Sequence, residues 1–183
     1  MDALNFLIEI VFDLFLITVL LRVWLQASRA DFYNPMSQFV VKVTNPLVLP
    51  LRRILPTLGH WDLASIVLAY VVGVGKIIAL SSLAAGMLPM VSDIIIMGLA
   101  VVLFQFISLL FWITIIRAIM SWFNTGYHPM TALMAQLTEP FLAPIRRLIP
   151  PIGGLDLSVL VLIVAIQFAR ILLNNLFSMG MGL

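Results

Sequence analysis

Pro46 to Asp62 reads P-L-V-L-P-L-R-R-I-L-P-T-L-G-H-W-D, and Pro140 to Asp156 reads P-F-L-A-P-I-R-R-L-I-P-P-I-G-G-L-D. The two stretches pair residue by residue at an offset of 94 positions: Pro46 with Pro140, Pro50 with Pro144, Arg52 and Arg53 with Arg146 and Arg147, Pro56 with Pro150, Gly59 with Gly153, Asp62 with Asp156. A fixed-period repeat kept in this detail marks a chain built from two copies of one unit. The expected division is residues 1–88 and 89–183.

Composition sets the solvent. The chain is 63% hydrophobic and 10% charged, with a mean hydropathy of +1.17, whereas soluble domains carry about 25% charged residues. An integral membrane protein is the reading. There is no cysteine, which excludes disulfides, thiol chemistry and Cys-ligated metals. A net charge of +2 is too small to point to nucleic acid. Asp2 and Glu9 flank the start of the first apolar run and no basic residue precedes Arg22, the reverse of a cleaved signal peptide.

Four stretches, about 4–25, 63–85, 94–120 and 157–177, reach the ~20 apolar residues needed to cross the hydrocarbon core. All four are expected to be helices, because a helix satisfies its own backbone polar groups in lipid. The link at 86–93 holds Pro89 and makes a tight hairpin of the second and third spans. The two long connections open on duplicated amphipathic segments. Met36, Phe39, Val40, Val43 and Leu47 recur at the same helical spacing as Met130, Leu133, Met134, Leu137 and Phe141, the pattern of short helices lying in the membrane interface. Asn34 suits the cap of the first, Pro35 and Pro129 suit first helical positions, and Pro46 and Pro140 are expected to end both runs. Pro46, Pro50 and Pro56 then forbid a long regular helix and predict a bent path along or slightly into the membrane.

Arg29, Lys42, Arg52 and Arg53 lie in one long connection, Arg146 and Arg147 in the other, and none lies in the termini or the 86–93 link. This bias places the repeat segments on the cytoplasmic side and both termini outside. Each unit holds two spans, so the halves keep one orientation and are expected to be related by a pseudo-twofold along the membrane normal.

Two groups of residues are candidates for function. The paired guanidinium groups of Arg52 with Arg53 and Arg146 with Arg147 have the chemistry to grip lipid phosphates or a partner; the alternative is that they only set topology. Asp62 and Asp156 directly precede apolar helices and are expected to cap them. Inside the membrane, Glu9 and Asp13 share one face of the first helix, and Lys76 and Arg170 occupy equivalent positions of the second and fourth. Asp13 and Lys76 come out at similar depth, so they are expected to pair, either as a structural ion pair or as part of an ion path. Gln105 and Ser108 of the third helix fall near that level. Ala69 with Gly73, Gly75 with Ala79 and Ala165 with Ala169 would let helices approach closely. His60 and His128 are isolated, with no metal-ligand spacing, and no nucleotide-binding loop is present. No cofactor is expected.

D-F-Y-N-P from Asp31 to Pro35, Q-F-V-V-K-V-T-N-P from Gln38 to Pro46, and the doubled P-x-R-R-x-x-P-x-x-G-x-x-D at Pro50 to Asp62 and Pro144 to Asp156 resemble the YggT family of bacterial inner-membrane proteins. The resemblance implies a multi-pass inner-membrane location. It associates enterobacterial members with osmotic-stress tolerance and potassium uptake, Gram-positive relatives with cell-division genes, and chloroplast relatives with cytochrome assembly and nucleoid placement; it carries over no catalytic residue. The expectation is an all-α, four-span protein that acts without catalysis, in osmotic tolerance through monovalent cation handling; the alternative is a scaffold or assembly factor for other membrane or division proteins. Expected partners are membrane lipids, anionic ones included, and a second copy or another membrane protein.

Overall fold

The computed structural model describes residues 3–84, 89–123, 128–149 and 156–181. Six helices follow one another: α1 (Ala3–Ala27), α2 (Pro35–Arg52), α3 (Leu63–Ala84), α4 (Val91–Phe123), α5 (Pro129–Leu148) and α6 (Leu157–Met181), with a small hairpin, β1 (Thr57–Leu58) and β2 (Trp61–Asp62), before α3. Helices α1, α3, α4 and α6 are long and apolar enough to cross a membrane. Two halves with the same element order, α1-α2-α3 and α4-α5-α6, therefore make an all-α integral membrane protein. The expected boundary at 88/89 lies at the edge of residues 85–88, outside the described residues.

The halves do not pack alike. Helix α3 lies against both α1 and α4, whereas α6 lies against α4 and has no comparable contact with α1. The reason is a backbone approach that only one half can make. A Cβ on Gly73 would stand 2.7 Å from the Gly98 carbonyl oxygen, so α3 and α4 touch because both positions lack a side chain. Ala69 is buried on the same helix. The core divides accordingly. Leu16, Val19, Leu20, Val48, Ala64 and Leu68 fill the first half. Trp24, Leu133, Leu137, Leu142, Leu162 and Ile166 tie the end of α1 to the second, with the Trp24 ring 5.3 Å from Phe106 and edge-on to Phe141.

Both amphipathic segments are helices, and they are longer than the prolines led one to expect. Helix α2 runs through Pro46 and Pro50 to Arg52, and α5 through Pro140 and Pro144 to Leu148. The prolines end neither run and force no bent path before Arg53. A proline deletes one helical hydrogen bond and orphans the carbonyl four residues back. Here that carbonyl belongs to Lys42, Pro46, Gln136 or Pro140, all exposed, so the orphaned groups stand where water or headgroups satisfy them. The opposite face, through Val40, Thr44 and Val48, stays buried. Asn34 caps α2 as the spacing predicts, its side chain accepting from the Met36 N–H. His128 does the same for α5.

The duplicated apolar stripe meets two fates. Leu133, Met134 and Leu137 of α5 are buried under Trp24, while Met36, Phe39, Val43 and Leu47 of α2 are exposed. Where α1 ends, Arg29 adopts φ 51° and the Ala30 N–H returns to the Leu25 carbonyl, a left-handed helix stop made with arginine where glycine is usual. Its side chain donates to the ring of His60.

Candidate functional site

In the first half the hairpin brings the arginine pair and Asp62 together. Thr57 pairs with Asp62 and Leu58 with Trp61, leaving Gly59 and His60 as a two-residue turn, and Gly59 has φ +60°, the glycine-first turn that suits right-twisted strands. The chain thereby reverses and sets Asp62 beside Arg52. The guanidinium grips the carboxylate from its edge: Arg52 Nη2 donates to Asp62 Oδ2 at 2.6 Å and Nε spans both oxygens at 3.3 and 3.2 Å. Ser65 Oγ donates to the same Oδ2 at 2.6 Å, and Arg22 Nε lies 3.8 Å away.

Arg22 ties a third element to this junction. Its Nη1 donates to Thr44 Oγ1 at 2.7 Å and to Asn45 Oδ1 at 2.8 Å on α2. Arg22 is 3% exposed and Asp62 1%, so one cation and one anion are buried at the meeting point of α1, α2 and α3, with the partly exposed Arg52 closing the junction from outside. Burial pushes the Asp62 carboxyl up, but hydrogen bonds from Arg52 and Ser65 and the charges of Arg52 and Arg22 outweigh it and hold the group below its ordinary value.

The second half builds a similar junction, although Pro150 and Gly153 of the repeat lie outside the described residues. Arg117 donates to Thr138 Oγ1, and Arg146 pairs with Asp156 through Nη2 at 2.8 Å and Nε at 3.0 Å. At the place of Asn45 stands Glu139, which accepts from Arg146 Nη1 at 2.9 Å and from Arg117 Nη2 at 3.4 Å. This junction balances two cations with two anions, where the first balances two with one. Burial again raises the Asp156 carboxyl; hydrogen bonds from Ser158 and Arg146 outweigh it and the group sits below its ordinary value. Burial likewise lowers Arg146, less than Asp156 and Glu139 raise it.

Each arginine pair is therefore split. Arg52 and Arg146 turn inward to Asp62 and Asp156, so the adjacent guanidinium groups expected to face lipid together do not; Arg53 and Arg147 are exposed and make no ion pair among the described residues. The two aspartates differ as caps. Asp156 accepts from the Ser158 backbone N–H at 3.1 Å, whereas Asp62 accepts from the Ser65 hydroxyl and from arginine.

Within the spanning segments, Lys76 Nζ meets Asp13 Oδ1 at 2.6 Å and lies 3.7 Å from Glu9 Oε1. The lysine side chain is 11% exposed, that of Asp13 30% and that of Glu9 42%. Beside it a surface opening between α3 and α4 is lined by Lys76, Phe104 and Gln105. Arg170 does not join this cluster. It is exposed on α6 and has no ion pair among the described residues. No group of three or more His, Asp or Glu among the described residues is arranged to hold a metal.

Arg22, Thr44, Arg117, Thr138 and Glu139 are the members that sequence reasoning did not assemble. A signal existed in part: Thr44 and Thr138 repeat at the offset of the other pairs.

The chain matches the CCB3/YggT family over residues 1–83 and 96–177. It is 50% identical over 177 residues to a Vibrio alginolyticus protein described as uncharacterized, in the proC 3′ region, covering 96% of each chain. With the uncharacterized protein YggT of Escherichia coli K12 it shares 43% identity over 163 residues, 89% of this chain and 85% of that one. A Haemophilus influenzae protein, also uncharacterized, is 37% identical over 159 residues, 87% of this chain and 82% of that one. No solved structure matches the chain.

Proposed function

The chain belongs to the CCB3/YggT family, and from that footing we propose that it works without catalysis, as a platform in the bacterial inner membrane that holds anionic lipid and organises neighbouring membrane proteins. One observation carries this reading. In each half the first arginine is locked to the bundle by an aspartate while the second, Arg53 or Arg147, is presented outward at the end of an interfacial helix. A guanidinium anchored in this way is a preorganised phosphate ligand, with Lys42 and the exposed apolar stripe of α2 beside the first. The basic loops supply the orientation, with α2 and α5 cytoplasmic.

Arg53→Gln with Arg147→Gln should reduce the phosphatidylglycerol and cardiolipin that co-purify with the protein, each contact contributing about 1 kcal/mol. Equal lipid retention by the double variant and the parent would dismiss the lipid half of the reading.

A second reading, monovalent cation handling in osmotic tolerance, has its own support: two carboxylates share one lysine inside the spanning segments, and Glu9 is the less engaged. Cation flux through purified protein in liposomes, lost on Glu9→Gln or Asp13→Asn, would favour it. Flux no greater than in empty vesicles would leave the platform.

A further inference from the structure

Arg170 is a cation in a spanning helix with no carboxylate paired to it among the described residues. It holds the position in α6 that Lys76 holds in α3. Lys76 faces Asp13 and Glu9 on α1. The matching level of α4 offers Gln105 and Ser108, which carry no charge.

Lipid is a poor host for it. Arg170 stands thirteen residues into the span that starts at Leu157 and eight before its end at Ser178, about 12 Å from the nearer interface at ~1.5 Å per residue. Helical side chains lean toward the N-terminus of their helix, so Arg170 leans away from that nearer interface. Snorkelling works against its own Cα–Cβ direction. An intramembrane guanidinium so placed calls for an anion at its own depth.

The chain supplies one such anion in surplus. Lys76 is satisfied by Asp13 at 2.6 Å, and Glu9, at 3.7 Å, is the more exposed of the two carboxylates. Because Glu9 lies level with Lys76, and Lys76 is the counterpart of Arg170, Glu9 and Arg170 share one depth. Within a chain they sit on helices that make no substantial contact, since α6 lies on α4 and leaves α1. Both helices expose apolar surface around these charges: Ile10, Val11 and Leu14 on α1, Phe168, Ile171 and Leu172 on α6.

We infer that the protein assembles with a second copy of itself, α6 of one chain packing on α1 of the next so that Arg170 pairs with Glu9 across the interface. The assembly makes between chains the α6-to-α1 contact that α3 and α4 make within one. It also gives each intramembrane cation its own carboxylate: Lys76 has Asp13, Arg170 the neighbour's Glu9.

The absence of cysteine allows a direct test in native membranes. Two differently tagged copies, one with Ile10→Cys and one with Ile171→Cys, are co-expressed and treated with a short bismaleimide. A crosslinked product bearing both tags is expected. It should fall to the level of single-cysteine controls when Arg170→Leu or Glu9→Gln is added, and persist with Arg170→Lys. Should Arg170→Leu fail to insert, Glu9→Gln decides alone, because Lys76 keeps Asp13. The inference is overturned if no mixed product forms, if it survives Glu9→Gln, or if Arg170→Leu changes only the phospholipid bound. The last outcome would make Arg170 a headgroup ligand.

Discussion

Removing the Asp62 charge leaves the buried Arg22 without its anion and beside a second cation, the partly exposed Arg52. Asp62→Asn should therefore cost about 3–5 kcal/mol, the range for breaking one side of a sealed ion pair. Asp156→Asn, at a junction open to solvent and still holding Glu139, should cost less than about 1 kcal/mol. Thermal unfolding of the two variants in one detergent compares them. The sign of the pH dependence follows from the same carboxyl. Its folded value lies below its unfolded one, so its contribution is fully present above the ordinary carboxylate range, near ~4, and is lost as pH falls through the lower folded value. Acid should destabilise the parent more steeply than Asp62→Asn over that window. The ten-residue spacing of Arg52 to Asp62, repeated from Arg146 to Asp156, was open to reading, yet an aspartate directly before an apolar helix suggests a cap. What hid the pairing was the two-residue turn at Gly59 and His60, whose reversal brings the arginine back. The Arg22 bond to Thr44 joins two helices 22 positions apart, and no local pattern announces it.

At the level of elements, the α3 contact with α4 hangs on two residues without side chains. Gly73→Ala puts a Cβ 2.7 Å from a backbone oxygen that cannot turn aside, so the helices must separate, at about 1–3 kcal/mol. Alanine at Gly75 meets only the rim of the Phe12 ring at 3.2 Å and should be milder, which a parallel unfolding measurement checks. The clamps between spanning and interfacial helices predict a second contrast. Thr44→Val removes a buried acceptor from Arg22 and should cost about 1–3 kcal/mol; Thr138→Val should cost less, because the Arg117 side chain is 16% exposed against 4% for Arg22 and water can replace the lost acceptor. The spanning helices were plain in the sequence, since twenty apolar residues have few other uses. The reach of α2 and α5 was not. Proline rules speak of what is lost from the ladder, and only the fold reveals that the losses fall on an exposed face.

For the whole molecule, the side on which the junctions sit is open to chemical labelling. A cysteine placed at Thr57 should be shielded from membrane-impermeant thiol reagents in intact cells, while one at Ser92 should label, if the basic loops lie inside. The reverse pattern would turn the platform outward. Tandem symmetry could be read from the repeat, and so could the uncharged Gln105 and Ser108 where α1 has its acids; the unequal packing could not, because it rests on Gly73 meeting Gly98. The bond from Trp24 Nε1 to the Leu137 carbonyl, 3.0 Å long across 113 positions, bears on the order of assembly. Residues emerge from the ribosome in sequence, so α1 can close its junction with Asp62 early, yet the indole at its end stays without its acceptor until α5 has been made. Maturation of this protein is thus timed by its second half. With Trp61, Trp112 and Trp122 replaced by phenylalanine, a chain stopped at Phe123 should emit from Trp24 at longer wavelength than the full chain, the shift marking the moment at which α5 seals the first half.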